Sequence, residues 1–151
     1  MDKIIERLNY LIEVLPSRVN QLSEEEFTAK SNGKWSKEEI LGHLCDSATN
    51  NHHRFIRIQF EEQPFVVVAY KQNDWVSIQD YQNIPFDEVI GFWTAINKQI
   101  VRVISNIPEE KLSYTCEIGN NKFFTFSELI QDYLRHMDHH LIQIFGTSNV
   151  V

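Results

Sequence analysis

Residues 85–108 read PFDEVIGFWTAINKQIVRVISNIP, and this stretch is the most informative about the fold class. Its apolar residues recur at alternating steps of four and three: Val89, Trp93, Ile96, Ile100, Val103 and Ile107. This spacing is typical of a helix that packs along the seam of an antiparallel helical bundle. Pro85 suits the start of such a helix, and Pro108 stops it. The sequence therefore predicts one long helix between the two prolines.

Three further segments carry the same kind of periodicity. The predicted helices cover residues 4–16, 36–60, 85–108 and 125–146. Capping-box patterns at residues 36–39 and 125–128 mark the starts of the second and fourth helices. Pro16 ends the first pattern, and Gly146 ends the last one. We therefore expect four long helices.

Two segments between these helices are less regular. Residues 65–68 form a β-branched run that favours a strand, and residues 112–124 favour a weak hairpin around Gly119. A lone two-stranded ribbon is marginally stable, so neither segment is expected to form a sheet core. The predicted class is all-α, a four-helix bundle with a long loop at residues 61–84 between helices 2 and 3.

The composition limits the organisation and the partners of the chain. Its 151 residues predict a single domain over residues 1–151. The net charge is −7 and basic runs are lacking, which argues against nucleic acid and anionic membranes as partners. The first residues carry charges where a signal peptide needs an apolar stretch, so we expect a cytoplasmic protein. Cys45 and Cys116 are compatible with two thiols or with one disulfide.

Histidines are the residues most able to carry chemistry. The chain contains His43, His52, His53, His136, His139 and His140. His136 and His140 have the four-residue spacing with which two imidazoles on one helix bind one ion. The same spacing also suits histidines at the edge of a core that bond to backbone or water. His43 lies on a polar stripe of the second helix with Ser47, Asn50 and Arg54, which is either a solvated face or one wall of a cleft.

Three motifs together resemble a known family. They are GKWS at residues 33–36, LGHLCDS at residues 41–47 and YLRHMDHHLIQI at residues 133–144. In this order and spacing they resemble the helix motifs of the DinB/YfiT-like superfamily. Residues 70–75 also resemble the aromatic loop of the YfiT branch, in which bacillithiol transferase-like proteins occur.

The resemblance implies a fold and a site. The implied fold is a four-helix bundle with up-down-down-up order, often a homodimer. The implied ligands of one divalent ion are His43, His136 and His140, and zinc or nickel suits imidazole ligands. Near that ion, Asn50 could orient a ligand or substrate, and Arg54 could pair with a carboxylate-bearing thiol.

The resemblance also implies an activity. Three neutral imidazoles leave coordination positions open, and an ion there lowers the pKa of a bound water or thiol. Characterised members of the family include enzymes that use low-molecular-weight thiols such as bacillithiol or mycothiol, in S-transfer or in isomerisation. We therefore predict a metal-dependent enzyme that activates such a thiol for S-transfer to a small electrophile. One alternative is a metal-dependent hydrolase that activates water, with Asp46 or Asp132 as acid or base. The other is a non-catalytic stress-response bundle.

Overall fold

The computed structural model describes residues 1–146, and helices dominate this part of the chain. The elements are helices α1 (Asp2–Val19), α2 (Glu24–Thr28), α3 (Lys37–Arg57), α4 (Gln72–Gln79), α5 (Phe86–Ser105) and α6 (Phe126–Phe145), and strands β1 (Phe65–Val66), β2 (Thr115–Glu117) and β3 (Phe123–Thr125). The long helices α1, α3, α5 and α6 form a four-helix bundle, as predicted. Within residues 1–146, none of the helices has the length and apolarity that crossing a bilayer requires. The end of the predicted domain, at residue 151, lies outside the described residues.

Contacts at the helix ends give the direction of each long helix. Ser36, which caps the start of α3, donates from Oγ to Gln82 Oε1 at 2.8 Å, just before α5 begins. The starts of α3 and α5 therefore lie at one end, and these helices are parallel. The rings of Phe55 and Phe126, 5.8 Å apart, bring the end of α3 to the start of α6. The ends of α1 and α6 line one cavity. The order is thus up-down-down-up.

Two predicted helix ends are wrong by a few residues. The first helix does not stop at Pro16 but continues to Val19. Proline removes one amide donor, while buried Leu15 and Val19 keep the last turn against the core. The second helix ends at Arg57 rather than near Phe60, because the Phe60 amide bonds to the carbonyl three residues back and tightens the chain.

The seam of α5 contains a buried polar residue. Its buried residues are Val89, Ile90, Trp93, Asn97, Ile100 and Ile104. The predicted positions Ile96, Val103 and Ile107 are only half-buried. Asn97 donates from Nδ2 to the Trp93 carbonyl at 2.8 Å and accepts from the Tyr133 hydroxyl at 2.6 Å. Because both ends of the amide are bonded, it can replace an apolar residue in the seam.

The two irregular segments meet in one small sheet. β1 pairs in parallel with β2, with Phe65 opposite Cys116, and β2 pairs antiparallel with β3. The predicted hairpin is confirmed, and Gly119 has the positive φ of 96° that its turn needs. The predicted strand at residues 65–68 is shorter, covering Phe65–Val66. Helix α4 was not predicted, since Val76 is its one buried residue and no side chain caps its start.

Glu38 is an unusual residue in the first turn of α3. Its side chain is buried, and its Oε2 atom has no hydrogen-bond partner in the described chain. Burial, followed by the charges of Glu24 and Glu39, raises the pKa of this carboxyl from 4.5 to about 7. Folding therefore takes up a proton between these two pH values, and stability falls as the pH rises through this range.

We expect Glu38→Gln to remove this decrease in stability with rising pH. The free energy of unfolding should rise by about 1–2 kcal/mol at pH 8 and change little at pH 5, because the neutral amide needs no proton. Urea unfolding at both pH values measures the effect, with Glu25→Gln on the exposed side of α2 as the matched control. An unchanged pH dependence in Glu38→Gln would contradict this assignment.

Candidate metal centre

Three histidines from two helices converge at one point between α3 and α6. The Nε2 atom of His136 lies 3.2 Å from His43 Nε2 and 3.1 Å from His140 Nε2. The nitrogen atoms that the three residues offer all lie within 4.8 Å of one another. Because α3 and α6 are antiparallel, His43 in the first half of α3 faces the second half of α6. The structure thus brings together residues that are 93 positions apart in the chain.

The outer nitrogens of His140 and His136 each have a hydrogen-bond partner. His140 Nδ1 lies 2.8 Å from Gln143 Oε1, an acceptor, so Nδ1 carries the proton and Nε2 carries a lone pair. His136 Nδ1 lies 3.4 Å from Ser47 Oγ, a hydroxyl that can donate or accept. His43 Nδ1 is buried and has no partner among the described residues. The Nε2 atom of His140 therefore presents a lone pair to the centre of the cluster.

The environment keeps all three imidazoles neutral near pH 7. Burial, followed by the neighbouring imidazoles, lowers the pKa of His43 to about 3 and that of His136 to about 4. Burial also lowers the pKa of His140. Neutral imidazole is the form that binds a metal, so the ligands need not lose protons at physiological pH.

The cluster fits a divalent ion. Two nitrogens bound to zinc at about 2.0–2.1 Å in tetrahedral geometry are about 3.3 Å apart. Two of the three separations, 3.1 and 3.2 Å, are close to this value, and the third is within 4.8 Å. A cation at this point would accept a lone pair from each neutral imidazole. His43, His136 and His140 therefore form an arrangement that suits a three-histidine site with open positions.

Aromatic residues cover the buried side of the cluster. The ring centroids of Trp35 and His43 lie 4.9 Å apart, and the centroid of the Tyr70 ring lies 6.5 Å from that of the same imidazole. His43 is fully buried, although the helical pattern places it outside the apolar arc of α3. The cover comes from residues outside the helix, which a wheel projection does not include. The Trp75 ring packs at a tilt of 57° against Tyr70, with the ring centroids 5.2 Å apart, and extends this wall.

A cavity of about 360 Å³ opens beside His136. Its polar lining includes Ser47, Asn51, Arg54, Tyr70 and Asp132. Burial raises the pKa of Tyr70 to about 12, so its phenol stays protonated and can donate. Ser47 and Arg54 of the predicted polar stripe on α3 therefore form part of the wall of a cleft rather than a solvated face.

The neighbouring residues Asn50 and Asn51 have different positions. Asn50 donates from Nδ2 to the Asp46 carbonyl at 2.9 Å, a bond along its own helix. Asn51 is buried and lines the cavity, and the sequence reasoning missed it. Four-residue steps select Ser47 and Asn51 from His43, whereas the predicted stripe steps by three to Asn50. Arg54 lines the cavity, and burial lowers the pKa of its guanidinium.

Other histidines and the two cysteines lie outside the cluster. His139 is exposed and contacts Gln143, while His52 and His53 lie further along α3. Cys45 and Cys116 are both buried free thiols. Burial raises the pKa of both, that of Cys116 to about 11, so neither thiol is activated as a nucleophile.

Asp46 and Asp132, the carboxylates nearest in sequence to the histidines, are engaged elsewhere. Asp46 is buried and accepts from the Tyr81 hydroxyl at 2.7 Å. Asp132 pairs with Arg135 at 2.9 Å. Within residues 1–146, neither they nor any other carboxylate hydrogen-bonds to the three imidazoles.

Sequence comparison places the chain in a family. The family model described as the DinB superfamily matches residues 7–144. This chain belongs to the DinB superfamily. A relative from Oceanobacillus iheyensis, named "Putative metal-dependent hydrolase", is 28% identical over 131 residues, 86% of this chain and 75% of the relative. A Halalkalibacterium halodurans relative with the same descriptive name is 25% identical over 138 residues, 88% of this chain and 80% of the relative.

Two solved structures share this fold. YfiT from Bacillus subtilis, described as having an unusual four-helix bundle topology, superposes with a TM-score of 0.84 at 19% identity. The match covers 95% of this chain and 82% of YfiT. A mycothiol-dependent maleylpyruvate isomerase superposes with a TM-score of 0.77 at 12% identity, over 99% of this chain and 64% of the isomerase. At these identities the likeness concerns the fold alone.

Proposed function

We propose that this DinB-superfamily protein is an enzyme that holds one divalent ion, zinc or nickel, on His43, His136 and His140. We further propose that it activates a low-molecular-weight thiol for S-transfer to a small electrophile. When bound, the ion supplies Lewis acidity, which lowers the pKa of a thiol or water at the site. The proposal includes a cytoplasmic, homodimeric enzyme, and these two properties remain predictions from the sequence.

One observation carries this proposal: the three imidazoles converge beside a cavity, and no carboxylate of residues 1–146 bonds to them. A hydrolase that activates water commonly uses a general acid or base within hydrogen-bond reach of the reacting groups. A thiol has a pKa near 8.5, so Lewis acidity alone can remove its proton at neutral pH. Asp132, the carboxylate that lines the cavity, is paired with Arg135, so the lining offers no free carboxylate as acid or base, which favours a thiol over water.

The residues of the chain have separate tasks in this reaction. The Tyr70 phenol, which stays protonated, can donate a hydrogen bond to a molecule in the cavity, while Asn51 donates from Nδ2 to the Ser47 carbonyl and holds this wall in place. The thiol releases its proton to solvent, its sulfur forms a bond to the electrophilic carbon, and the leaving group departs with the electrons of the broken bond. Trp35 and the buried side of α3 exclude water from His43.

The second candidate is a metal-dependent hydrolase, which the names of the relatives favour. Asp132 lines the cavity one turn before His136 and is the carboxylate that such a reaction would use. Asp46 is bonded to Tyr81 and is less suited to this role.

Two assays made in parallel separate these candidates. Zinc-loaded protein is mixed with cysteine or bacillithiol and with 1-chloro-2,4-dinitrobenzene, and the S-aryl product is measured by absorbance. In parallel, hydrolysis of 4-nitrophenyl acetate is measured without thiol. We expect thiol-dependent product formation that is lost after chelation and in His43→Ala but kept in His139→Ala, which removes an exposed histidine. Ester hydrolysis without thiol, together with inactivity toward the thiols, would overturn the proposal in favour of the hydrolase.

A further inference from the structure

We infer that the cavity beside His136 contains a subsite for a carboxylate group of the substrate, with Arg54 as its anchor. The substrate class is then an amphiphilic small molecule with a carboxylate at one end and its reactive group at the histidines. This inference rests on the proposed function, because it names the kind of molecule that the same centre would take.

Arg54 is a half-buried cation with unused donors. Its Nη2 atom donates to the Val68 carbonyl at 2.7 Å, and its Nη1 atom donates to Asn51 Oδ1 at 3.4 Å. A guanidinium has five N–H donors, so three of them have no acceptor in the described chain. The bond to Val68 fixes the guanidinium between α3 and the segment that follows β1. A fixed planar fork of this kind matches the geometry of a carboxylate.

Arg54 also lacks a counter-charge in the part of the chain that the structure describes. No carboxylate of residues 1–146 lies within ion-pair distance of its guanidinium group. By contrast, Arg57, one turn later on α3, pairs with Glu61. The acid that lines the same cavity, Asp132, is paired with Arg135 on its own helix. A half-buried cation without a counter-charge is unfavourable, and an anionic ligand would supply the missing negative charge.

A continuous polar wall connects Arg54 with the histidines. Arg54 bonds to Asn51, and Asn51 Nδ2 donates to Ser47 Oγ at 3.4 Å. Ser47 Oγ in turn lies 3.4 Å from His136 Nδ1. A ligand that lies along this wall therefore reaches from the guanidinium to the imidazole cluster. Both Arg54 and His136 line this cavity, so the subsite adjoins the metal centre through His136.

Another part of the cavity lining is apolar. Val67, Ile118, Phe124 and Leu129 line it together with Arg54. The volume of about 360 Å³ suits a small molecule rather than a peptide or a nucleotide chain. An apolar body between a carboxylate and a reactive group fits these surfaces better than a fully polar ligand.

The subsite can be tested without metal or sulfur. The probes are hexanoate and hexanamide, which differ mainly in charge, titrated into metal-free protein and followed by NMR chemical shifts. We expect hexanoate to bind about tenfold tighter than hexanamide to the natural protein, because bonds to a charged group are stronger. Arg54→Gln should abolish this difference, whereas Arg57→Gln removes the same charge outside the cavity and should keep it. Equal affinities for the two probes in the natural protein would overturn the inference.

A second variant guards against loss of folding. Arg54→Lys keeps the charge but not the planar fork of donors. An Arg54→Lys protein with the unfolding temperature of the natural protein should therefore retain part of the preference for hexanoate. A stably folded Arg54→Gln protein that still prefers hexanoate as strongly as the natural one would also overturn the inference.

A third set of probes separates this inference from the proposed function. Zinc-loaded protein is titrated with 6-mercaptohexanoate and 6-mercaptohexan-1-ol, and we expect the carboxylate to bind about tenfold tighter. If neither thiol binds while hexanoate is still preferred, the thiol proposal fails and the subsite stands. If both thiols bind equally and hexanoate is still preferred, the subsite holds the carboxylate of the electrophile. If both thiols bind equally and hexanoate is not preferred, the subsite is disproved and thiol binding stands.

Discussion

Gly42→Ala should be strongly destabilising, although it adds a single methyl group. A Cβ atom at this position would lie 2.1 Å from Tyr81 Cδ2 and 2.2 Å from Tyr81 Cγ. The Tyr81 ring is buried, and its hydroxyl is bonded to Asp46, so the ring cannot move away without breaking that contact. We expect a loss of about 3 kcal/mol in the free energy of unfolding, at the upper end of the effect of overpacking.

The matched control for this variant is Gly91→Ala on α5. A Cβ atom there would meet no atom within 4 Å, and alanine is a better helix former than glycine. Gly91→Ala should therefore stabilise the protein by up to about 1 kcal/mol. Urea unfolding of both variants gives the comparison. A Gly42→Ala protein within 1 kcal/mol of the natural one would show that Tyr81 does not pack against α3 as described.

The second large effect concerns the affinity for zinc. Groups that only orient metal ligands typically contribute about 10–100-fold to affinity. Gln143, which bonds to His140 Nδ1, is such a group, and Gln143→Ala should reduce the affinity within this range. His43→Ala removes a ligand atom itself, so we expect a loss well beyond 100-fold.

Competition with a chromogenic chelator measures these affinities at pH 7. His139→Ala is the control, because its imidazole is exposed and lies beside His140 without joining the cluster. It should bind zinc as the natural protein does. If His43→Ala and His139→Ala lose affinity equally, the assignment of His43 as a ligand is wrong.

The four long helices could be predicted because their signals are local. Capping boxes at Ser36 and Thr125 and the prolines around α5 are visible within a few residues of each helix end, and the structure contains the corresponding helices. Helix α4 has no such signals, and its Gln79 bonds to Asp46 of α3, a residue 33 positions earlier in the chain. Long-range contact of this kind cannot be derived from periodicity.

The candidate site was predictable in part for the same reason. The spacing of His136 and His140 is a local signal, but the convergence with His43 depends on antiparallel packing of α3 and α6. Asn51 lines the cavity and Asn50 does not. Successive residues on a helix point about 100° apart, so the choice between the two depends on how α3 is turned toward the segments around the cavity, which the sequence does not show. Likewise, the cover of His43 comes from Trp35, which precedes the helix.

The metal content of the purified, untagged protein tests the central claim most directly. Elemental analysis is made of the natural protein and of His140→Ala, each after incubation with zinc and nickel salts and gel filtration. We predict about one equivalent of zinc or nickel in the natural protein and a loss of that metal in the variant. Absence of metal in both proteins would contradict the three-histidine centre, and the function would then have to be sought in binding rather than in metal-dependent chemistry.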